Sequence, residues 1–249
     1  MCISGITPRV ITSQTKFFLI AFSLLLSGCA GVSDPASSTL SLEYTWESGD
    51  QGWKTGYADY PVGLTEQDSL NLYALSYGHG SLPQEIIPAQ KGMKLAGSNR
   101  SDDLFMYLYA PVTGLLPLSE YNVWFDLSLA SNAPTNAVGV GGAPGEGVTL
   151  KAGAAAIEPA LTVVDGWYRM KLDKGNQKLG GKDMIVIGHA GVADDTKNYA
   201  LINRSNTTPF IARTDKDGRL WLILGSDSGF EGFTALYYAS LKLVISHKH

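Results

Sequence analysis

Residues 121–130, YNVWFDLSLA, decide the fold of this chain. Apolar side chains occupy every second position of the stretch, while Asn122, Asp126 and Ser128 stand between them. A period of two places one row of side chains on a core and the other row on the opposite face of a strand. The stretch therefore predicts a β-strand with one buried face.

Similar short apolar runs recur along the chain and are separated by Gly, Pro, Asn and Asp, which favour turns. No stretch shows a sustained helical period. About a dozen short strands of this kind predict an all-β fold, namely a single-domain antiparallel β-sandwich of jelly-roll type. The predicted strands are residues 69–77, 91–96, 104–112, 121–130, 148–152, 167–172, 184–188, 199–203, 210–214, 220–224 and 235–246.

The first 28 residues are organised like a secretory signal peptide. Arg9 and Lys16 precede a mostly apolar run at 17–26. A membrane-spanning helix needs about 20 apolar residues, so this run is too short to cross a bilayer. The run ends in LSGC at 26–29, which resembles the lipobox of bacterial lipoproteins. That resemblance implies cleavage before Cys29 and lipidation of Cys29; an ordinary signal peptide with a chance cysteine is the alternative.

The lipoprotein resemblance also predicts a location and a domain plan. Ala30 rather than Asp follows the cysteine, which in enterobacteria-like sorting points to the outer membrane of a bacterial cell envelope. Residues 31–39, GVSDPASST, read as a flexible polar tether. We therefore predict a signal peptide at 1–28, a lipidated cysteine and tether at 29–39, a β-sandwich at 40–246 and a short tail at 247–249.

The charge and the cysteine content of the chain restrict which partners it can bind and what can stabilise its fold. The chain carries a formal charge of −4, and removal of Arg9 and Lys16 with the signal peptide makes it −6. It has no basic cluster, which argues against a nucleic-acid partner. Its two cysteines are Cys2, which leaves with the signal peptide, and Cys29. The exported domain is thus predicted to lack a disulfide and to depend on its apolar core, with or without a bound cation.

Residues 44–53, YTWESGDQGW, resemble the aromatic-Glu…Gly-Trp start of secreted jelly-roll modules of the carbohydrate-binding and galactose-binding-like type. The resemblance implies a sandwich in which Trp53 packs under the first loop, and a structural Ca²⁺ between the first and last strands. The candidate metal ligands are Glu47, Asp50, Asp215 and Asp217. The alternatives are plain core aromatics and, for the sequence DKDG at 215–218, a hairpin turn.

Residues 225–232, GSDSGFEG, form a second unusual loop before the last strand. The sequence is not the Gly-x-Ser-x-Gly elbow of a serine hydrolase, because Asp227 holds the central position. We interpret the loop as a metal or ligand contact, or simply as a tight connection. The candidate ligand-binding residues are Trp53, Tyr57, Asp227 and Glu231.

The favoured function is non-catalytic glycan binding by a lipid-anchored module. Tyr and Trp stack on sugar rings, and loop Asn and Asp bond hydroxyl groups. No catalytic residue is assigned, no cofactor is required, and the sequence does not predict an oligomeric state. Two alternatives stay open: a structural envelope lipoprotein without a small ligand, and a hydrolase of polysaccharides or esters that uses acids from Asp102, Asp103, Asp227 or Glu231.

Overall fold

The computed structural model describes residues 39–193 and 198–248. The predicted signal peptide, Cys29 and residues 31–38 of the tether lie outside the described residues. The described residues all belong to one compact unit. Among them, no helix has both the length and the apolar character needed to cross a bilayer.

The described chain consists almost wholly of β-strands. A short helical segment, α1 at Glu66–Asp68 followed by a π-helix at Ser69–Tyr73, interrupts them. The strands are β1 Thr39–Tyr44, β2 Lys54–Ala58, β3 Tyr60–Pro61, β4 Ser76–Ser81, β5 Lys91–Ser98, β6 Leu104–Val112, β7 Glu120–Ser131, β8 Ala133–Pro134, β9 Val148–Ala155, β10 Leu161–Val164, β11 Trp167–Met170, β12 Met184–His189, β13 Gly191–Val192, β14 Ala200–Ser205, β15 Phe210–Arg213, β16 Leu220–Ser228 and β17 Phe233–His247.

Two antiparallel sheets form the sandwich. The seven-stranded sheet has the order β14-β7-β17-β5-β4, with β1 also paired to β17 and β15 to β7. The five-stranded sheet has the order β12-β9-β16-β6-β2. Successive long strands alternate between the sheets: β5 and β7 belong to the first, β6 and β9 to the second. The predicted antiparallel sandwich of jelly-roll type is therefore confirmed.

The main core lies between the two sheets. The alternating residues of β7, among them Val123, Phe125 and Leu127, are at most 1% exposed and face this core. Leu222 and Leu224 on β16 meet them from the five-stranded sheet. This arrangement follows from the period of two in the sequence.

The five-stranded sheet is covered on its outer face as well. A small sheet of order β10-β11-β3 and residues 171–183 lie over it. Beneath this cover, Phe105, Tyr107 and Ile223 form part of a second apolar cluster. Gly153 on β9 permits the close approach of the backbone at Asp183, since a Cβ on residue 153 would overlap the carbonyl oxygen of Asp183. The cover explains why all nine residues of β16 are buried.

One predicted strand is wrong. Residues 69–77 alternate in polarity, but the chain is helical at Ser69–Tyr73 and a strand begins only at Ser76. Thr65 and Asp68 explain the difference: the Asp68 amide donates to Thr65 Oγ1 at 3.0 Å, and the Thr65 amide donates to Asp68 Oδ2 at 3.3 Å. This reciprocal pair is a helix-start signal of the capping-box type, and it overrides a short alternating pattern.

Candidate functional site

A cleft of about 400 Å³ lies beside β2 and β4, the edge strands of the two sheets. We call it the edge cleft. Tyr77 is its most exposed aromatic residue, with 65% of its surface accessible. Trp53 and Met93 lie deeper, each 3% exposed. The lining residues are Asp50, Trp53, Lys54, Thr55, Tyr77, Gly78, His79, Met93 and Tyr109.

Trp53 supports the cleft from below. Its ring meets Tyr44 edge-on at a centroid distance of 5.2 Å and Trp46 at 5.6 Å. The Trp53 amide also donates to the Asp50 carbonyl at 2.9 Å, which closes the turn before β2. Trp53 is thus mainly a packing residue under the first loop, with one part of its surface in the cleft.

Polar groups surround the aromatic surface of the edge cleft. His79 Nε2 donates to the Trp46 carbonyl oxygen at 2.6 Å; since a carbonyl only accepts, Nε2 carries a proton, and in the neutral ring Nδ1 is an acceptor. Lys54 Nζ donates to Glu158 Oε1 at 2.8 Å and lies 5.7 Å from the centroid of the Tyr109 ring. An exposed ring flanked by donors and acceptors suits a ligand that has both CH groups and hydroxyls.

Tyr57 lies on β2 but does not line the edge cleft. Its hydroxyl oxygen is buried without a hydrogen-bond partner. Burial, with smaller contributions from Tyr77 and Tyr238, raises the pKa of Tyr57. The structure therefore places this predicted ligand residue behind Tyr77, toward the core.

A second site is buried beneath the cover of the five-stranded sheet. We call it the charge cluster: Asp59, Asp103, Lys151, Arg169, Lys174 and Asp227. The ammonium groups of Lys151 and Lys174 both donate to Asp227 Oδ2, at 2.7 and 2.8 Å. Lys174 Nζ also lies 2.9 Å from Asp59 Oδ2, and Arg169 donates to Asp59 Oδ1 at 2.7 Å.

Strand register brings Lys151 and Asp227 together. The strands β9 and β16 are antiparallel neighbours, and Lys151 lies opposite Gly225. Asp227 is two residues beyond Gly225, so its side chain is on the same face of the sheet. Gly225 leaves this space open, since a Cβ there would overlap the ring of Phe105.

The centre of the charge cluster is deeply buried, its edge at Asp103 and Arg169 is partly exposed, and its formal charges sum to zero. The side chains of Lys151 and Asp227 are 0% exposed, and three acids face three bases. Even so, Oδ1 of Asp103 and Oδ1 of Asp227 are buried without a partner. Burial, followed by the neighbouring Asp227, raises the pKa of Asp103 to about 8. A proton on Asp103 would hydrogen-bond the two carboxyl groups and satisfy both oxygens.

The two lysines differ in their titration. Desolvation is the largest influence on Lys151 and lowers its pKa, despite the attraction of Asp227. Desolvation acts on Lys174 too, but Asp227, Asp59 and Asp103 together outweigh it and raise the pKa. Lys174 is therefore the stable cation of the cluster, and Lys151 is the lysine that loses its proton more easily.

Three carboxylates of the cluster could be considered as metal ligands. One oxygen each from Asp59, Asp103 and Asp227 lie within 4.8 Å of one another. Lysine ammonium groups already contact Asp59 and Asp227, however. Ca²⁺ takes six to eight oxygen ligands. The cluster neutralises its own charge and offers few oxygens, so it is poorly suited to hold a cation.

The four predicted calcium ligands lie elsewhere. Glu47 accepts a hydrogen bond from the Lys91 amide, and Asp50 accepts one from the Gly52 amide. Asp215 Oδ1 accepts from the amides of Asp217 and Arg219 at 2.9 and 2.8 Å in a tight turn. The turn joins β15 to β16, which belong to different sheets, so the expected hairpin is not present here. In the described part of the chain, the one group of three carboxylates that could hold a metal includes none of these four.

The structure separates the predicted pair Asp227 and Glu231. Asp227 is fully buried in the charge cluster, whereas Glu231 is exposed in the turn after β16. The two carboxylates therefore do not face a common groove. Of the acids considered for a hydrolase, Asp103 joins Asp227, while Asp102 is exposed and its carbonyl accepts from Gln177.

Sequence reasoning missed the basic half of the charge cluster. Lys151 was passed over inside a predicted apolar strand, and Lys174 lies in the loop after β11. The lysine in the middle of VTLKAGAA is the signal that could have indicated a buried ion pair, because a lone charge on a buried strand needs a partner. The partner itself lies 76 positions away, so no local pattern reveals it.

No protein-family model and no curated protein matches the chain. Several solved structures share a general likeness. TmCBM61 in complex with beta-1,4-galactotriose has 10% identity and a TM-score of 0.37, over 78% of this chain and 88% of that one. The xylan-binding module CBM15 has 10% identity and a TM-score of 0.37, over 85% and 100%. A cyclase from Fischerella sp. TAU has 11% identity and a TM-score of 0.39, over 84% and 98%. Likenesses of this size support no conclusion about ligand or activity.

Proposed function

We propose that this chain is a lipid-anchored protein of a bacterial envelope whose β-sandwich binds a glycan in the edge cleft. The observation that carries the proposal is the exposed ring of Tyr77 in a cleft that also contains Asp50, Lys54 and His79. The lipobox at 26–29 supports the anchor. Ala30 after the cysteine supports the outer membrane as the location.

Stacking explains the choice of ligand class. A sugar ring has an apolar CH face that covers an aromatic ring, and hydroxyls at its rim that need donors and acceptors. Tyr77 offers the ring, and Asp50 and His79 offer acceptors near it. Tyr109 and Lys54 extend the surface along the cleft. The mixture of acid and base favours a neutral sugar over a highly charged one.

Binding rather than hydrolysis agrees with the burial of the acids. Asp227 is 0% exposed and its Oδ2 receives two ammonium groups. A polysaccharide would have to displace the segment 171–183 to reach it. Binding in the edge cleft requires no cofactor, and a structural Ca²⁺ at Glu47 and Asp50 or at Asp215 and Asp217 stays a prediction.

The test is a glycan-array measurement on the full chain in detergent micelles, with Tyr77→Ala and Trp124→Ala as a matched pair. Trp124 is an aromatic residue 36% exposed on the seven-stranded sheet and is not part of the cleft lining. We expect binding to be lost with Tyr77→Ala and kept with Trp124→Ala. Blank arrays would contradict glycan binding, and the reverse pattern would contradict the edge cleft as its site.

A further inference from the structure

Lys151 and Asp227 form an ion pair that is closed off from solvent. Lys151 Nζ lies 2.7 Å from Asp227 Oδ2, the two residues stand on adjacent strands, and neither side chain is accessible to solvent. We propose that they condense to an intramolecular amide bond between Lys151 Nζ and Asp227 Cγ, with Asp103 as the proton donor. The described geometry is that of the pair before the bond forms.

The first requirement of the condensation is that the amine and the carboxyl group are held close together. Two groups held in a reactive orientation behave as if their concentration were about 10⁵ to 10⁸ M. The β9–β16 ladder fixes both backbones, and both side chains are fully buried. Lys151 Nζ is further held by a 2.8 Å hydrogen bond to the Lys174 carbonyl.

The amine must be neutral to act as a nucleophile, because an ammonium group has no free electron pair. Burial disfavours the charged form of Lys151, and this effect exceeds the attraction of Asp227. Proton transfer within the pair also turns two buried charges into two neutral groups. Lys174 contacts the same carboxyl oxygen, but its acidic neighbours, Asp227 and Asp59 first, raise its pKa and favour its charged form.

The carboxyl group must be activated, and the neighbours of Asp227 suit that task. Asp103 lies beside it, partly buried, and desolvation followed by the charge of Asp227 raises the pKa of Asp103 to about 8, which favours its protonated form near neutral pH. That proton is available to an oxygen of Asp227, whose Oδ1 has no other partner. The ammonium of Lys174, 2.8 Å from Oδ2, stabilises negative charge that develops there when the amine adds.

The reaction balances without an added reagent. The Lys151 ammonium loses two protons in all, the Nζ–Cγ bond forms, and one Cγ–O bond of Asp227 breaks. The departing oxygen takes up two protons and leaves as water, while Asp103 recovers the proton it lent. The charges of the pair cancel before and after the reaction, and no group is oxidised or reduced. Lys151 and Asp227 themselves are inaccessible to solvent, which protects the amide from bulk water once it has formed.

The test is peptide mapping by tandem mass spectrometry of the full chain, purified folded and then denatured and digested with trypsin. Trypsin does not cleave after an acylated lysine, so we expect a branched peptide that joins Lys151 to Asp227. Its mass should equal the sum of the two component peptides minus one water. The chain should also migrate faster in a denaturing gel than Lys151→Arg, which retains the charge but cannot form this amide.

One further variant separates chemistry from packing. Asp103→Asn can still donate a hydrogen bond to Asp227 but cannot transfer a proton as an acid, so we expect at least a roughly tenfold slower appearance of the branched peptide in a folded protein. Trypsin cleavage at Lys151 and free Asp227 throughout the folded wild-type sample would overturn the proposal. A branch from Lys174 to Asp227 would overturn the assignment of Lys151 as the nucleophile.

Discussion

Gly225 lies directly opposite Lys151 in the β9–β16 ladder, and a Cβ on Gly225 would overlap the Phe105 ring. The glycine therefore makes room for the Phe105 ring beside the buried lysine. We predict that Gly225→Ala lowers the free energy of unfolding by about 1–3 kcal/mol, the range for overpacked cores. Urea denaturation measures the change. Gly80→Ala is the control, because a Cβ there meets no atom within 4 Å; equal stability losses for both variants would contradict the explanation.

Removal of the Lys174 ammonium should destabilise the domain strongly. Lys174 is 8% exposed and neutralises Asp59 and Asp227 together. We predict that Lys174→Met costs about 3 kcal/mol, because a buried carboxylate loses a partner. Chemical denaturation checks this value against Lys178→Met, an exposed position on the same loop. A loss of stability no larger than that of Lys178→Met would mean that Arg169 alone is a sufficient partner for Asp59.

The loop over the charge cluster should loosen in acid. Asp173 accepts hydrogen bonds from the Lys182 and Gly175 amides, at 2.9 and 3.0 Å, and these lower its pKa below the ordinary 3.8. The folded pKa is thus below the unfolded one, so the contribution to stability is present above pH 3.8 and is lost as pH falls through the folded pKa. We expect the amide resonances of Gly175 and Lys182 to titrate below pH 3.8 in an NMR titration. Asp173→Asn should abolish that titration, and a midpoint at or above the ordinary value would contradict the hydrogen-bond argument.

Two substitutions of Tyr77 in the edge cleft should reduce glycan affinity to different degrees. Tyr77→Phe keeps the ring and should change glycan affinity little, whereas Tyr77→Ala should weaken it by roughly tenfold or more, equivalent to about 1.4 kcal/mol. Isothermal titration with a sugar found on the array measures both. If Phe and Ala weaken binding equally, the hydroxyl rather than the stacked ring is responsible.

Calcium has a direct test. If a structural Ca²⁺ is bound at the predicted acids, a chelator should lower the melting temperature and added Ca²⁺ should restore it. Asp50→Asn and Asp217→Asn, in separate proteins, identify which loop is responsible. A melting temperature unchanged by chelator would contradict the prediction of a structural Ca²⁺ in this domain.

The fold was largely predictable because its signal is local. The alternation in residues 121–130 is preserved as β7, and that in 235–246 lies within β17. β1 was not predicted, since TLSLEY is short and reads as a continuation of the tether. The helical turn at 69–73 was missed because SLNLY fits both periods, and only the Thr65–Asp68 pair upstream distinguishes them.

The candidate sites were less predictable because their residues meet only after folding. Asp227 was singled out from its unusual loop, yet its partner Lys151 comes from a different strand and Lys174 from a covering loop. Trp53 was assigned to the correct loop, but Tyr77, the exposed ring beside it, was placed in a plain strand. Polarity patterns indicate which face of a strand is buried; they do not indicate which distant side chain shares that burial.

The pairing of β17 has a consequence for the order of folding. Thr39 at the start of the domain pairs with Ser246, and the same strand β17 also pairs with β5 and β7. Strands β1, β5 and β7 therefore share one neighbour, which is the last of the described strands to be synthesised. The seven-stranded sheet closes only when residues 233–247 are present, so its completion is a late step in the folding of this chain.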